Sequence, residues 1–530
     1  MERIYIDVKS SVGRINFREE RIPYSLEDLI NNMQYYRVHA SLVFNNVAKD
    51  YSFSKGNREL LEQIKGNNRL YGVAAVIPDI QYELDEGYGY YDRLIEQGVR
   101  AFKLFPKAFN HGFDAFVIKS LADYMISKNV PLLLDIDGVD WKSIKEVVEM
   151  YDGLKVVLYG ATWGHNRHLF RLMEKFSNLY FEISSNQSND ILKLCKKHFG
   201  IDRVLFGTDY PNKVMGGLKA LIEYSELSEK EKDKVAYINA AELFRLDLKN
   251  IQPYGEDICQ LDEIALKMDG GRPLDDILVI DSHTHMVDLR DKTVSQVPML
   301  NGDEDSMIHK MDLLGIDRII TSPWEGITTN GMDANETSLK ANRKYGHRIE
   351  AYATCNPNYS EDLNTVVDVY HKEYRFIGIK PYWPKHNYDL LGSKYEKWFE
   401  YGDRNRLIML VHSGNFEIAN KVLKLSERYK NMTFIMAHTG MSYEVARYNI
   451  EVAKKRDNVY LEITYTTLTN GIIEYLVEEV GAERVLFGSD MPMRDPAPQL
   501  AWVAYAKISV EEKKKILGGN ILKLIDRCYT

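Results

Sequence analysis

Along residues 277–530, short apolar runs rich in Val, Ile, Leu and Phe alternate with segments of helical length. Eight such runs stand out: Ile277–Asp281, Arg318–Ser322, Ile349–Cys355, Phe376–Lys380, Leu407–His412, Thr433–His438, Val459–Thr464 and Arg484–Asp490. Short β-branched runs separated by helices predict a parallel sheet, and eight of them predict a (β/α)8 barrel. A doubly wound open sheet is the rival. It fits less well, because polar residues end many different runs, which suits a ring better than a single crevice. The first half yields eight matching runs.

The two halves repeat one another. Arg203-Val-Leu-Phe-Gly-Thr-Asp209-Tyr-Pro211 echoes Arg484-Val-Leu-Phe-Gly-Ser-Asp490-Met-Pro492. Asp7 matches Asp281, Met33 matches Met311, Lys103 matches Lys380, Glu182 matches Glu462, and Asn239 matches Asn520. The offset drifts only from 281 − 7 = 274 to 490 − 209 = 281, so the loops differ little in length. A repeat of about 250 residues is a whole domain, the usual size of one such barrel. The expected architecture is therefore two tandem (β/α)8 TIM-type barrels, residues 1–250 and 277–530. A linker over 251–276 joins them, with Asp269-Gly-Gly-Arg-Pro273 as its clearest breaker.

Composition adds exclusions. With 45% hydrophobic and 27% charged residues, the chain has ordinary globular usage, enough for two cores. A net charge of −9 gives no support for nucleic-acid or membrane partners. The first residues lack a signal-peptide apolar core, and no run is long enough to span a bilayer. Cys195, Cys259, Cys355 and Cys528 are scattered without CxxC spacing. That predicts a reducing, cytoplasmic setting rather than a disulfide frame.

The chemistry concentrates where the runs of the second half end, the face on which barrel enzymes place their sites. His283 and His285 are two apart, so on a strand both side chains point the same way. With His412 and Asp490 they form a three-nitrogen, one-oxygen set suited to one divalent metal ion, Zn2+ first, with Mn2+ or Fe2+ as alternatives. Asp490 is expected both to ligate and to take a proton from water. His438 is expected to orient substrate or move a proton. A lone HxH pair arises by chance about as often as by function, and a single buried histidine is usually structural; the combination favours the metal. Lys380, Trp383, His386, Trp324 and Arg494, at or just after the strand ends, are candidate substrate contacts for a cyclic or carboxylated compound. For Lys380 and Glu462 a structural ion pair is the favoured reading, because Lys103 and Glu182 persist in a half that has lost its histidines. In that half the matching positions read Lys9 and Ser11 for the HxH pair, Ile136 for His412 and Gly160 for His438, with only Asp209 kept.

Asp-Ser-His-Thr-His, Val-His-Ser-Gly, Ala-His-Thr-Gly, Leu-Phe-Gly-Ser-Asp-Met-Pro and the closing Ile-Leu-Gly-Gly-Asn-Ile-Leu resemble the amidohydrolase-related (amidohydrolase-2) branch of the amidohydrolase superfamily. The resemblance covers residues 277–530 and implies a (β/α)8 barrel. It also implies one divalent metal held by His283, His285, His412 and Asp490, with His438 in catalysis. The first half resembles the same family but departs at every histidine, which implies a degenerate copy. The resemblance implies a small-molecule substrate and, first, hydrolysis of a cyclic or carboxylated ester, lactone or amide. Non-oxidative decarboxylation or hydration is the alternative, and a non-catalytic two-barrel scaffold the second. Pairing of the two barrels within the chain, and a homodimer, are further expectations.

Overall fold

The computed structural model describes residues 2–16, 18–254, 261–293, 298–465 and 468–530. Cys259 and part of the expected linker lie outside the described residues. The chain divides into two compact units, Met1–Leu261 and Asp262–Thr530. The second half of the expected linker thus belongs to the second unit. There Asp262 caps a helix over Glu263–Asp269, and the Tyr505 hydroxyl donates to Asp269 at 2.7 Å.

Each unit is an eight-stranded, all-parallel sheet with strands in chain order, as the alternating pattern predicts. In the first unit the strands are β1 (Ile6–Val12), β2 (Ala40–Asn45), β3 (Leu70–Ala75), β4 (Val99–Leu104), β5 (Leu132–Asp135), β6 (Val156–Tyr159), β7 (Leu179–Glu182) and β8 (Val204–Leu205). In the second they are β9 (Ile280–Thr284), β10 (Arg318–Thr321), β11 (Ile349–Thr354), β12 (Gly378–Lys380), β13 (Ile408–His412), β14 (Thr433–Ala437), β15 (Val459–Glu462) and β16 (Val485–Leu486). The ring closes beyond the last strand. Val8 N–H donates to Phe206 O at 3.0 Å in one unit, and Ser282 N–H to Phe487 O at 3.1 Å in the other.

The strands are buried on both faces, which is why they read as near-continuous apolar runs. Along β13, Ile408 and Leu410 fill the core and His412, two residues on, shares their face at the rim. The helices read differently. Phe416–Arg428 is capped by the Asn415 side chain, which accepts from Ile418 N–H, and it buries Ile418, Ala419, Val422 and Leu425 at three- and four-residue spacing.

The repeated motif has one structural logic in both units. Arg203 and Arg484 donate to backbone carbonyls, including those of Phe176 and Arg456, each at 2.6 Å. Asn239 and Asn520 each tie two carbonyls, Ile201 with Val204 and Ala482 with Val485. The motif glycine is required by close approach: a Cβ on Gly207 or Gly488 would lie 2.7 or 2.6 Å from the carboxylate of Glu182 or Glu462. Among the described residues, no helix is long and apolar enough to cross a membrane.

Candidate metal centre

The carboxyl ends of β9 and β12–β16 converge on a cavity of about 400 Å³. His283 and His285 come from the end of β9, and Asp490 from the turn after β16. Asp490 is buried with a left-handed backbone (φ 65°), and its N–H donates to His283 O at 2.8 Å. Its Oδ1 lies 2.9 Å from His285 Nε2 and 3.3 Å from His283 Nε2, and its Oδ2 pairs with Arg494. His283, His285 and Asp490 form a group whose ligand atoms all lie within 4.8 Å of one another.

Electron pairs show that this set fits a cation. His285 Nδ1 is 2.8 Å from Ser322 O, a carbonyl that can only accept, so Nδ1 carries the proton and Nε2 a lone pair. That lone pair faces a carboxylate oxygen at 2.9 Å. A second proton would reconcile two acceptors, but burial, with the Lys380 charge adding to it, pushes the imidazole down to about 3. A metal ion between them satisfies both. His283 is oriented in the same way, with Nδ1 3.1 Å from Glu462 Oε2, and burial holds its imidazole well below the ordinary range.

His412, expected as the fourth ligand, stands outside this three-residue group. It lines the same cavity, with Nδ1 3.1 Å from His438 Nε2. The Trp383 indole N–H donates to its carbonyl at 3.1 Å. His438 offers Nδ1–H to Thr464 O at 2.9 Å, and burial, then His412 and Arg494, hold it neutral. Its backbone is left-handed (φ 64°).

Lys380 is fully buried, with Nζ 3.4 Å from His283 Nε2; burial lowers it to about 7, against the pull of Glu462. Burial raises Glu462 to about 7, although Thr464 N–H donates to it at 2.5 Å. Trp324 and Trp383 line the cavity as expected, Trp324 meeting His285 edge-on at 6.0 Å. Arg494 lines it as well, 5.4 Å from the centre of the Tyr465 ring.

His386 corrects one expectation. It is buried but not among the lining residues, and its carbonyl accepts from Asn358 at 2.8 Å. The one-turn helix Trp383–His386 carries it three residues past Trp383, about 4.5 Å along the axis and off the rim. Tyr465, Met441 and Met493 also line the cavity and were missed. Their signal was position alone, in the loops that follow strand ends: Tyr465 after β15, Met441 after β14 and Met493 after β16.

In the first unit the register corrects the internal comparison. Asp135 pairs with Tyr159 as His412 pairs with Ala437, so Asp135 and not Ile136 occupies the His412 position. Ile136, one residue on, falls on the opposite face. Lys9 replaces His283, and its ammonium reaches Glu182 at 3.0 Å and Asp209 at 3.4 Å. A tethered cation thus stands among the carboxylates, and burial notwithstanding, Lys9 and Lys213 hold Asp209 down to about 2.

A parallel barrel with histidines and an aspartate gathered at its carboxyl rim defines a class of metal-binding barrel proteins. Within that class the chain belongs to the amidohydrolase family: the family profile (Amidohydrolase) matches residues 57–246 and 280–527, one segment in each unit. Solved structures with a similar fold include an uncharacterised TIM-barrel protein from Bordetella bronchiseptica, 15% identical, with 47% of this chain and 99% of that chain covered and a TM-score of 0.38. Another is 5-carboxyvanillate decarboxylase from Sphingomonas paucimobilis, 12% identical, with 47% and 99% covered and a TM-score of 0.36. A third is a dihydroxybenzoic acid decarboxylase from Polaromonas sp. JS666 with bound manganese, 19% identical, with 47% and 97% covered and a TM-score of 0.35. No curated protein matches.

Proposed function

We propose that the second unit is a metal-dependent hydrolase acting on a small, flat, carboxylated substrate. His283, His285 and Asp490 would hold the ion, with His412 beside them. A bound divalent cation, Zn2+ or Mn2+, would polarise a carbonyl and acidify water there. The observation that carries the reading is the neutral His438 on the same cavity. With Nδ1 committed to Thr464, it can take a proton only at Nε2, the atom on the ligand side. Lys380 and Arg494 supply positive charge for a substrate carboxylate, and Trp324, Tyr382, Trp383 and Tyr465 supply flat walls.

A second reading, non-oxidative decarboxylation of an aromatic or unsaturated acid, is favoured by a different observation. Asp490 keeps neither oxygen free for a proton from water, since Oδ1 faces the two histidines and Oδ2 pairs with Arg494. Lactones, esters, amides and aromatic acids presented to the metal-loaded protein separate the two readings. Release of an acid or amine without CO2 supports hydrolysis, and CO2 with a protonated ring supports decarboxylation. No turnover in either series by protein carrying stoichiometric metal would overturn both.

A further inference from the structure

The first unit has its own cavity at the equivalent rim, of about 170 Å³, lined by Lys9, Lys49, Lys103, Asp135, Tyr159 and Asp209 among others. Its charges sort into two sets. Lys9 and Lys213 are matched with Glu182 and Asp209: Lys9 contacts both acids, and Lys213 lies 3.2 Å from the second oxygen of Asp209. Lys103 is different. It is half-buried at the end of β4, and its ammonium stands over rings, those of Phe44 at 5.1 Å and of Phe105 and Tyr159 at 4.8 Å each. No acceptor among the described residues satisfies its three N–H donors. Lys49, exposed at the mouth, lies 5.4 Å over the Phe105 ring and has no acidic partner among the described residues. Against these two cations the lining offers one carboxylate outside the matched set, Asp135.

The balance is one positive charge, and its deeper bearer is an ammonium that faces the cavity with no acceptor among the described residues. Aromatic rings stabilise a cation but accept no N–H bond of normal strength, so they leave the need for an acceptor unmet. At about 30 Å³ per water, the cavity holds roughly five waters, or a ligand of about that many heavy atoms. We propose that the first unit binds a small monocarboxylate, acetate- to propionate-sized, on Lys103, with Lys49 closing over it from the mouth. This site needs no metal, because Lys9 already supplies the cation that Glu182 and Asp209 surround. The degenerate barrel is then a second ligand site of different chemistry.

The groups facing Lys103 are Lys9, Lys49, Asp135, Tyr159 and Asp209. Burial lowers Lys103 to about 8, with Lys9 and Lys49 adding to the shift and Asp135 and Asp209 opposing it. A bound carboxylate needs the protonated amine, so affinity falls about tenfold per pH unit above 8.

The test uses the full chain. Reductive methylation with formaldehyde and borane is followed by peptide mass spectrometry, reading Lys103 and Lys380 separately while acetate, propionate or benzoate is added. The expected result is saturable protection of Lys103 by acetate and propionate, none by benzoate, weakening above pH 8, and stronger protection by acetate in Asp135→Asn. Equal methylation of Lys103 with and without acetate would overturn the proposal. So would the same protection from chloride at matched ionic strength, which would mark a salt effect, or undiminished protection by benzoate, which would mark a non-selective surface.

Discussion

His438 Nε2 lies 3.1 Å from His412 Nδ1, with the far nitrogen of His438 tied to the Thr464 carbonyl. Since His438 Nδ1 must be the protonated nitrogen, the neutral pair is satisfied only when His412 Nδ1–H donates to His438 Nε2. That leaves His412 Nε2 free to ligate, with His438 as its support at rest; His438 can take a proton at Nε2 only when this hydrogen bond opens. His438→Asn is therefore expected to keep most of the metal and lose turnover by roughly 10²–10⁴-fold, while His412→Ala loses metal as well. Metal content by elemental analysis beside turnover decides this. Equal metal loss in both variants would make His438 a ligand instead.

The backbone under His438 gives a second prediction. His438 has φ 64° and its counterpart Gly160 has φ 85°, so the position is left-handed in both units. Glycine occupies it without cost where no imidazole is needed; a side chain there costs about 1 kcal/mol, the kind of strain that persists at functional sites. His438→Gly is expected to be more stable than His438→Ala by about 1 kcal/mol, although it removes more atoms. Chemical denaturation of the two variants measures the difference. An alanine variant at least as stable as the glycine variant would count against stored strain.

One metal per chain is expected, held by the second unit. Among the described residues, the groups that can hold an ion all lie there, and Lys9 stands among the acids of the first. The His283→Ala/His285→Ala double variant should drop metal content to near zero while the chain stays folded by circular dichroism. Stoichiometric metal retained in that variant would place an ion elsewhere.

Much of this was legible in the sequence, for physical reasons that also mark where it stopped. Strands buried on both faces leave continuous apolar runs, so the eight-fold pattern and the duplication could be read directly. His283, His285 and Asp490 could be placed because period-two geometry fixes which way an HxH pair points. Ile136 was misassigned because a slip of one residue on a four-residue strand leaves the hydrophobic pattern nearly intact while reversing the face. The register of Asp135 with Tyr159 settles it. Lys380 and Lys103 look alike in sequence, yet one faces His283 and the other three aromatic rings. Loop residues such as His386 and Tyr465 carry no period, so only coordinates separate the one that lines the cavity from the one that does not.

The carboxylate of Asp209 makes the last prediction. Burial alone would raise it, and Lys9 and Lys213 outweigh burial, leaving it at about 2 against an unfolded value near 3.8. A carboxyl depressed on folding contributes stability that is fully present above the unfolded value and is lost as pH falls through the folded one. The window is therefore about pH 4 down to pH 2, and a shift of this size is worth roughly 2 kcal/mol. Lys9→Met should destabilise the first unit at pH 7, and its deficit relative to wild type should shrink steadily as pH falls from 4 to 2. Asp209→Asn, which cannot titrate, should flatten the acid limb of the first unit. Urea unfolding at stepped pH measures both. A Lys9→Met deficit unchanged between pH 7 and pH 2 would show that Lys9 stabilises by packing against Tyr159 and not by its charge.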